Sequence, residues 1–127
     1  LPFRSPSKNS IGIELINWGA LTKRNDNLYT AYGKEFKGEH VEYSCSYRNY
    51  RFYDKYTDAQ IETLRRLLLY WHERYDIPLN YSSDIWELNK RALSGKPGVY
   101  THTSFRYHKS DLHPQKEMIE MLKNLTK

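Results

Sequence analysis

Alternation marks the first regular stretch of the chain. In SIGIELI, residues 10–16, Ile11, Ile13 and Leu15 share one face at period two, while Gly12, Glu14 and Ile16 share the other. The pattern predicts an internal strand whose single charge is Glu14. Such a carboxylate needs a partner, a hydrogen bond or a cleft, unless it sits at a strand edge and reaches solvent. Ahead of it, residues 1–9 hold Pro2 and Pro6 and no period, an irregular lead-in. Residues 17–38 are polar, contain Asn25-Asp26-Asn27, and read as turns or a loop carrying a short ribbon. At Thr57-Asp58-Ala59-Gln60 the period changes. The Thr hydroxyl can take an orphan helix N–H while Gln60 reaches back, and Ile61, Leu64, Leu68, Trp71 and Tyr75 follow as one helical stripe, widened by Leu67, until Pro78 stops it. A shorter helix is expected within residues 82–94 around Ile85, Trp86, Leu88 and Leu93, and Gly95-Lys96-Pro97-Gly98 breaks it. Val99-Tyr100-Thr101 is strongly β-favouring and predicts a strand that delivers His102 to its end. Met118, Met121, Leu122 and Leu125, behind Pro114, mark a last helix that lids the core.

With 127 residues and 39% hydrophobic composition, the chain suits a single domain, 1–127, and one site. No run approaches the roughly 18 to 20 apolar residues needed to cross a bilayer, so no membrane insertion is expected, and the first ten residues lack the apolar core of a signal peptide. Cys45 is the only cysteine, which excludes an internal disulfide and a multi-cysteine zinc knuckle. A metal here must rely on His and carboxylate. The net charge of +5 favours a polyanionic setting, for which nucleic acid and anionic cell wall both qualify. Residues 40–56 concentrate tyrosines with Arg48, Arg51 and Lys55. That mixture could stack bases or sugars, but it equally describes rim packing with snorkelling cations, and no nucleic-acid fingerprint accompanies it. No nucleic-acid partner is expected.

Chemistry concentrates in HTSFRYHKSDLH, residues 102–113, with three imidazoles, a lysine and a carboxylate in twelve residues. His nitrogen and Asp oxygen are zinc ligands, and a strand end with a returning loop can join His102 to Asp111. Loop histidines are also commonly just solvated. His72 lies on the charged flank of the long helix and reads as a surface residue, and His40 has no ligand motif around it.

Four blocks then resemble, in order, the zinc-dependent N-acetylmuramoyl-L-alanine amidases, the family shared by phage lysozyme-like amidases, cell-wall recycling amidases and peptidoglycan recognition proteins. Asn9-Ser10-Ile11-Gly12-Ile13-Glu14-Leu15 resembles the family's early strand, and Tyr56-Thr57-Asp58-Ala59-Gln60 with Leu64 and Leu67 its helix start. Tyr75-Asp76-Ile77-Pro78 resembles the segment closing that helix. Gly98-Val99-Tyr100-Thr101-His102 with Lys109-Ser110-Asp111 and Pro114 resembles the last strand and metal loop.

The resemblance implies an α/β fold (α+β mixed), a central mixed sheet flanked by helices, with zinc in a groove at the sheet edge. It implies a peptidoglycan hydrolase that cuts the amide between the lactyl group of N-acetylmuramic acid and L-alanine using a zinc-bound water, of phage or prophage origin, as an endolysin or tail-associated module. The alternative is a muropeptide-binding module with a degenerate zinc site. Carried over, His102 and Asp111 match zinc ligands, Lys109 the residue that offsets oxyanion charge, and Glu14 the acid that handles the water's proton. Trp18, Tyr100, Thr101 and Arg106 are the expected substrate contacts. The family's first ligand, a His on a strand before the SIGIE block, has no counterpart before Asn9, and Leu112-His113 intervene between Asp111 and Pro114. His113 and His108 are therefore candidate substitutes. An upstream segment or another chain completing the fold is expected as a partner beside peptidoglycan.

Overall fold

The computed structural model describes residues 10–126; the lead-in at 1–9 lies outside the described residues. Strands β1 (Ala20–Arg24), β2 (Asn27–Tyr29), β3 (Glu35–Phe36), β4 (His40–Tyr47) and β5 (Tyr50–Asp54) come first. Helices α1 (Asp58–Tyr75), α2 (Lys90–Leu93), α3 (His102–Phe105) and α4 (Lys116–Asn124) follow, with a 3-10 turn at Ser83–Trp86 ahead of α2. The strands form one sheet in the order β3-β2-β1-β5-β4, and its described pairings are all antiparallel. Sheet and helices together are the mixed α/β arrangement the sequence implies.

Two-residue turns set the two hairpins. Asn25 and Asp26 (φ 49° and 68°) join β1 to β2, and Arg48 and Asn49 (φ 51° and 74°) join β4 to β5. Left-handed backbone at both central positions matches the right-handed twist of the flanking strands. The polar stretch 17–38 thus carries a ribbon as expected, and the tyrosine-rich stretch becomes the β4–β5 hairpin.

Helix α1 starts as its sequence dictates. Thr57 Oγ1 accepts from the Gln60 N–H at 3.0 Å, and Gln60 Oε1 accepts from the Thr57 N–H at 3.0 Å. Ile61, Leu64 and Leu68 are buried against Met118, Met121 and Leu122 of α4, with Tyr56, Leu79, Ile85 and Trp86 completing the core. Tyr75 leaves the stripe and is exposed, because Asp76 turns left-handed (φ 56°) and ends the helix.

Three sequence expectations change. Residues 10–16 are not a strand: among the described residues no strand pairs with them, and Ile11, Ile13 and Ile16 are exposed. Alternation specifies an extended segment but supplies no neighbour, and the sheet assembles from residues 20–54 instead. Residues 99–101 do not form a strand either. The Thr101 backbone is extended, but it serves as N-cap of α3, so His102 opens a helix rather than ending a strand. The short helix within 82–94 splits into the 3-10 turn and α2, because Asn89 Oδ1 caps a new start at the Ala92 N–H (2.7 Å). Ile85 and Trp86 are buried there, whereas Leu88 is exposed.

Candidate metal centre on the loop between α3 and α4

The floor of this loop is built from hydroxyls. Thr101 Oγ1 and Ser104 Oγ both donate to the Ile85 carbonyl, at 2.6 and 2.7 Å, and tie the start of α3 to the 3-10 turn. Thr103 Oγ1 donates to the Lys109 carbonyl at 3.0 Å, and Tyr47 Oη approaches Thr103 Oγ1 (3.2 Å) and the Trp86 carbonyl (3.0 Å). These bonds fold residues 106–111 back over α3. The result brings together the two ends of a nine-residue separation: His102 Nδ1 stands 3.2 Å from Asp111 Oδ2. Both side chains are exposed.

Past Asp111 the environment inverts. His113 is 1% exposed. Its ring stacks on Tyr56 (centroids 4.6 Å apart, 22° between planes) and lies 4.6 Å from Tyr53. Nε2 is 2.8 Å from the Asp54 carbonyl and Nδ1 2.7 Å from Tyr43 Oη. A carbonyl only accepts, so Nε2 carries the proton and Nδ1 accepts from the tyrosine. Burial drives the imidazole pKa down to about 4, which keeps the ring neutral in this role. The same burial raises the phenols of Tyr43, Tyr53 and Tyr56, so they stay protonated, and Tyr43 and Tyr53 donate to His113 Nδ1 and the Tyr47 carbonyl. Gln115 pins the next turn, accepting from the Tyr56 N–H at 2.8 Å and donating to the Tyr56 carbonyl at 3.2 Å.

The remaining sequence candidates are dispersed. Glu14 is exposed on the unpaired segment before β1. Lys109, Arg106 and His108 are exposed on the loop itself. Thr101 is buried with its hydroxyl on Ile85, and His113 has both ring nitrogens engaged inside the fold, so neither has a free polar atom for a ligand. Tyr100 Oη donates to the Lys96 carbonyl at 2.9 Å. Trp18 is half exposed and meets Tyr32 edge-on, with its backbone N–H on Asp54 Oδ2 at 2.8 Å. His72 is a surface residue bonded to the Ile77 carbonyl, as its flank position suggests, and His40 packs against Phe52. The cage of Tyr43, Tyr53, Tyr56 and Asp54 around His113 was not anticipated. Its signal was the tyrosine density of residues 40–56, which reads equally well as surface.

Zinc bonds of about 2.0–2.1 Å at tetrahedral angles place neighbouring donors roughly 3.3 Å apart. The 3.2 Å between His102 Nδ1 and Asp111 Oδ2 matches one edge of that tetrahedron. Among the described residues no group of three or more His, Cys, Asp or Glu side chains forms a metal cage, and Glu14 is not joined to the pair. The same distance is that of a His–carboxylate hydrogen bond, so the pair offers two donors that a metal could use.

A family described as N-acetylmuramoyl-L-alanine amidase matches residues 4–117, nearly the whole chain, and the chain belongs to that family. No curated protein and no solved structure matches it. Membership supports amidase chemistry on peptidoglycan, and hence a site of action at the cell wall. No helix of the described residues is long and apolar enough to cross a membrane.

Proposed function

We propose that the chain is a zinc-dependent N-acetylmuramoyl-L-alanine amidase of phage or prophage origin, acting as an endolysin or tail-associated wall-degrading module. The observation that carries this is the His102–Asp111 pair at tetrahedral-edge spacing, exposed at the surface of a chain of this family. His102 and Asp111 would hold the metal, with further donors supplied by water, substrate or a segment outside the described residues. Zinc, when bound, supplies Lewis acidity to the scissile carbonyl. Lys109, on the same loop, offsets the charge that develops on the carbonyl oxygen as water adds to the lactyl carbon. The family resemblance gives Glu14 the role of taking the proton from that water and returning it to the L-alanine nitrogen as the C–N bond breaks, leaving a lactyl carboxylate and a free amine, although in this structure Glu14 is not grouped with the pair. Trp18, Tyr100 and Arg106 remain as contacts for the muropeptide. Purified peptidoglycan incubated with the protein and zinc should gain free L-alanine amino termini and no new reducing sugar ends; reducing ends without amino termini would refute the assignment.

One observation favours a second reading. The described residues offer two metal donors rather than three, which suits a muropeptide-binding module with a degenerate site. Tight muropeptide binding without cleavage, in zinc and in any longer form of the chain, distinguishes it.

A further inference from the structure

Arg48 occupies the left-handed first position of the β4–β5 turn (φ 51°). Its guanidinium lies 5.1 Å from the ring of Tyr107, which belongs to the loop between His102 and Asp111. Nε and Nη2 are shut off from solvent with no hydrogen-bond partner, the only such side-chain atoms found among the described residues. Leaving a buried donor unpaired costs on the order of 1–3 kcal/mol, more for a charged one. Nε and Nη2 together form one edge of the guanidinium, the edge that grips a carboxylate with two parallel bonds. The chain shows this use twice. Arg65 holds Glu62 through Nε and Nη2 at 2.8 and 2.7 Å, and Arg91 holds Asp84 through the same edge at 3.1 and 2.5 Å. Arg48 presents that edge with no carboxylate on it. Its neighbour Tyr47 touches Thr103, the residue after His102, so the turn abuts the metal loop.

We propose that Arg48 is a specificity-determining residue that binds a carboxylate of the stem peptide, with the Tyr107 ring covering it until substrate arrives. This rests on the reading of the substrate as a muropeptide. Tyr107 is 73% exposed and belongs to the loop that carries His102 and Asp111, so movement of its ring would change what lies over the guanidinium.

The test is calorimetric binding at low salt of N-acetylmuramoyl-L-alanyl-D-glutamate and of its diamide, which lacks both carboxylates. Charge-assisted hydrogen bonds at a covered site correspond to about a 10- to 100-fold preference of the unaltered protein for the diacid. Arg48→Gln should bring the two ligands within about twofold, Arg48→Lys should keep part of the preference, and Tyr107→Ala should tighten the diacid alone. Tyr107→Ala keeps the test valid should Arg48→Gln fail to fold. Equal affinities in the unaltered protein, no binding of either ligand, or a preference that survives Arg48→Gln would overturn the proposal. Release of L-alanine amino termini from peptidoglycan, followed separately, reports on the amidase reading whatever the binding result.

Discussion

The two ends of one loop hold histidines eleven residues apart in opposite states. His102 is exposed, with a carboxylate 3.2 Å away, whereas His113 is sealed between tyrosines with both nitrogens bonded. The difference lies in what each ring can do. A ligand must present a lone pair to something that comes and goes. An anchor must have its lone pair and its N–H already taken by fixed partners. The loop therefore separates the exposed carboxylate of Asp111, the proposed metal ligand, from structural anchoring at His113 by a single residue, Leu112.

The sharpest way to break this contrast is at the exposed end. Asp111→Ala or His102→Ala should lower amide cleavage at least about 100-fold, while thermal unfolding stays near that of the unaltered protein. His113→Ala should do the reverse in origin. It leaves a cavity between Tyr53 and Tyr56 and strands the Asp54 carbonyl and the Tyr43 hydroxyl, at a cost of about 3–4 kcal/mol read by urea unfolding.

Acid should sharpen the contrast further. The unfolded imidazole protonates near 6.5 and the folded one only near 4, so the unfolded state binds the extra proton between those values. Stability is full above about pH 6.5, falls through the window, and stops falling from this source below about 4, a loss on the order of 3 kcal/mol. Unfolding midpoints at pH 7 and 4.5 should show that loss, and His113→Gln should not show it. Asp54, whose carboxyl pKa burial raises, acts in the opposite direction and trims the effect. The smallest change expected is Tyr43→Phe, which removes the donor to Nδ1 and keeps the ring, costing about 1 kcal/mol by the same unfolding measurement.

Legibility in the sequence followed the range of the forces. Helix α1 is specified locally, by a capping box within four residues and a stripe on one face, and it forms where read. SIGIELI carries an equally clear period, yet a strand is defined by its partner, and residues 10–16 have none among the described residues. Val99 and Thr101 are β-favouring, but Thr101 finds the Ile85 carbonyl and becomes a cap. At the site, the juxtaposition of His102 and Asp111 was suggested by resemblance, because spacing alone allowed two solvated side chains. The role of His113 was hidden for a different reason. Its partners Tyr43 and Asp54 lie 70 and 59 residues earlier, so nothing in its own neighbourhood distinguishes it from His108, which is exposed five residues away.

Zinc content per chain after dialysis, on the unaltered protein and on Asp111→Ala and His113→Gln, tests the division of labour most directly. We expect about one zinc per chain in the unaltered protein and in His113→Gln, and none in Asp111→Ala while its unfolding midpoint is unchanged. Full zinc occupancy in Asp111→Ala, or loss of zinc in His113→Gln with the fold intact, would contradict it.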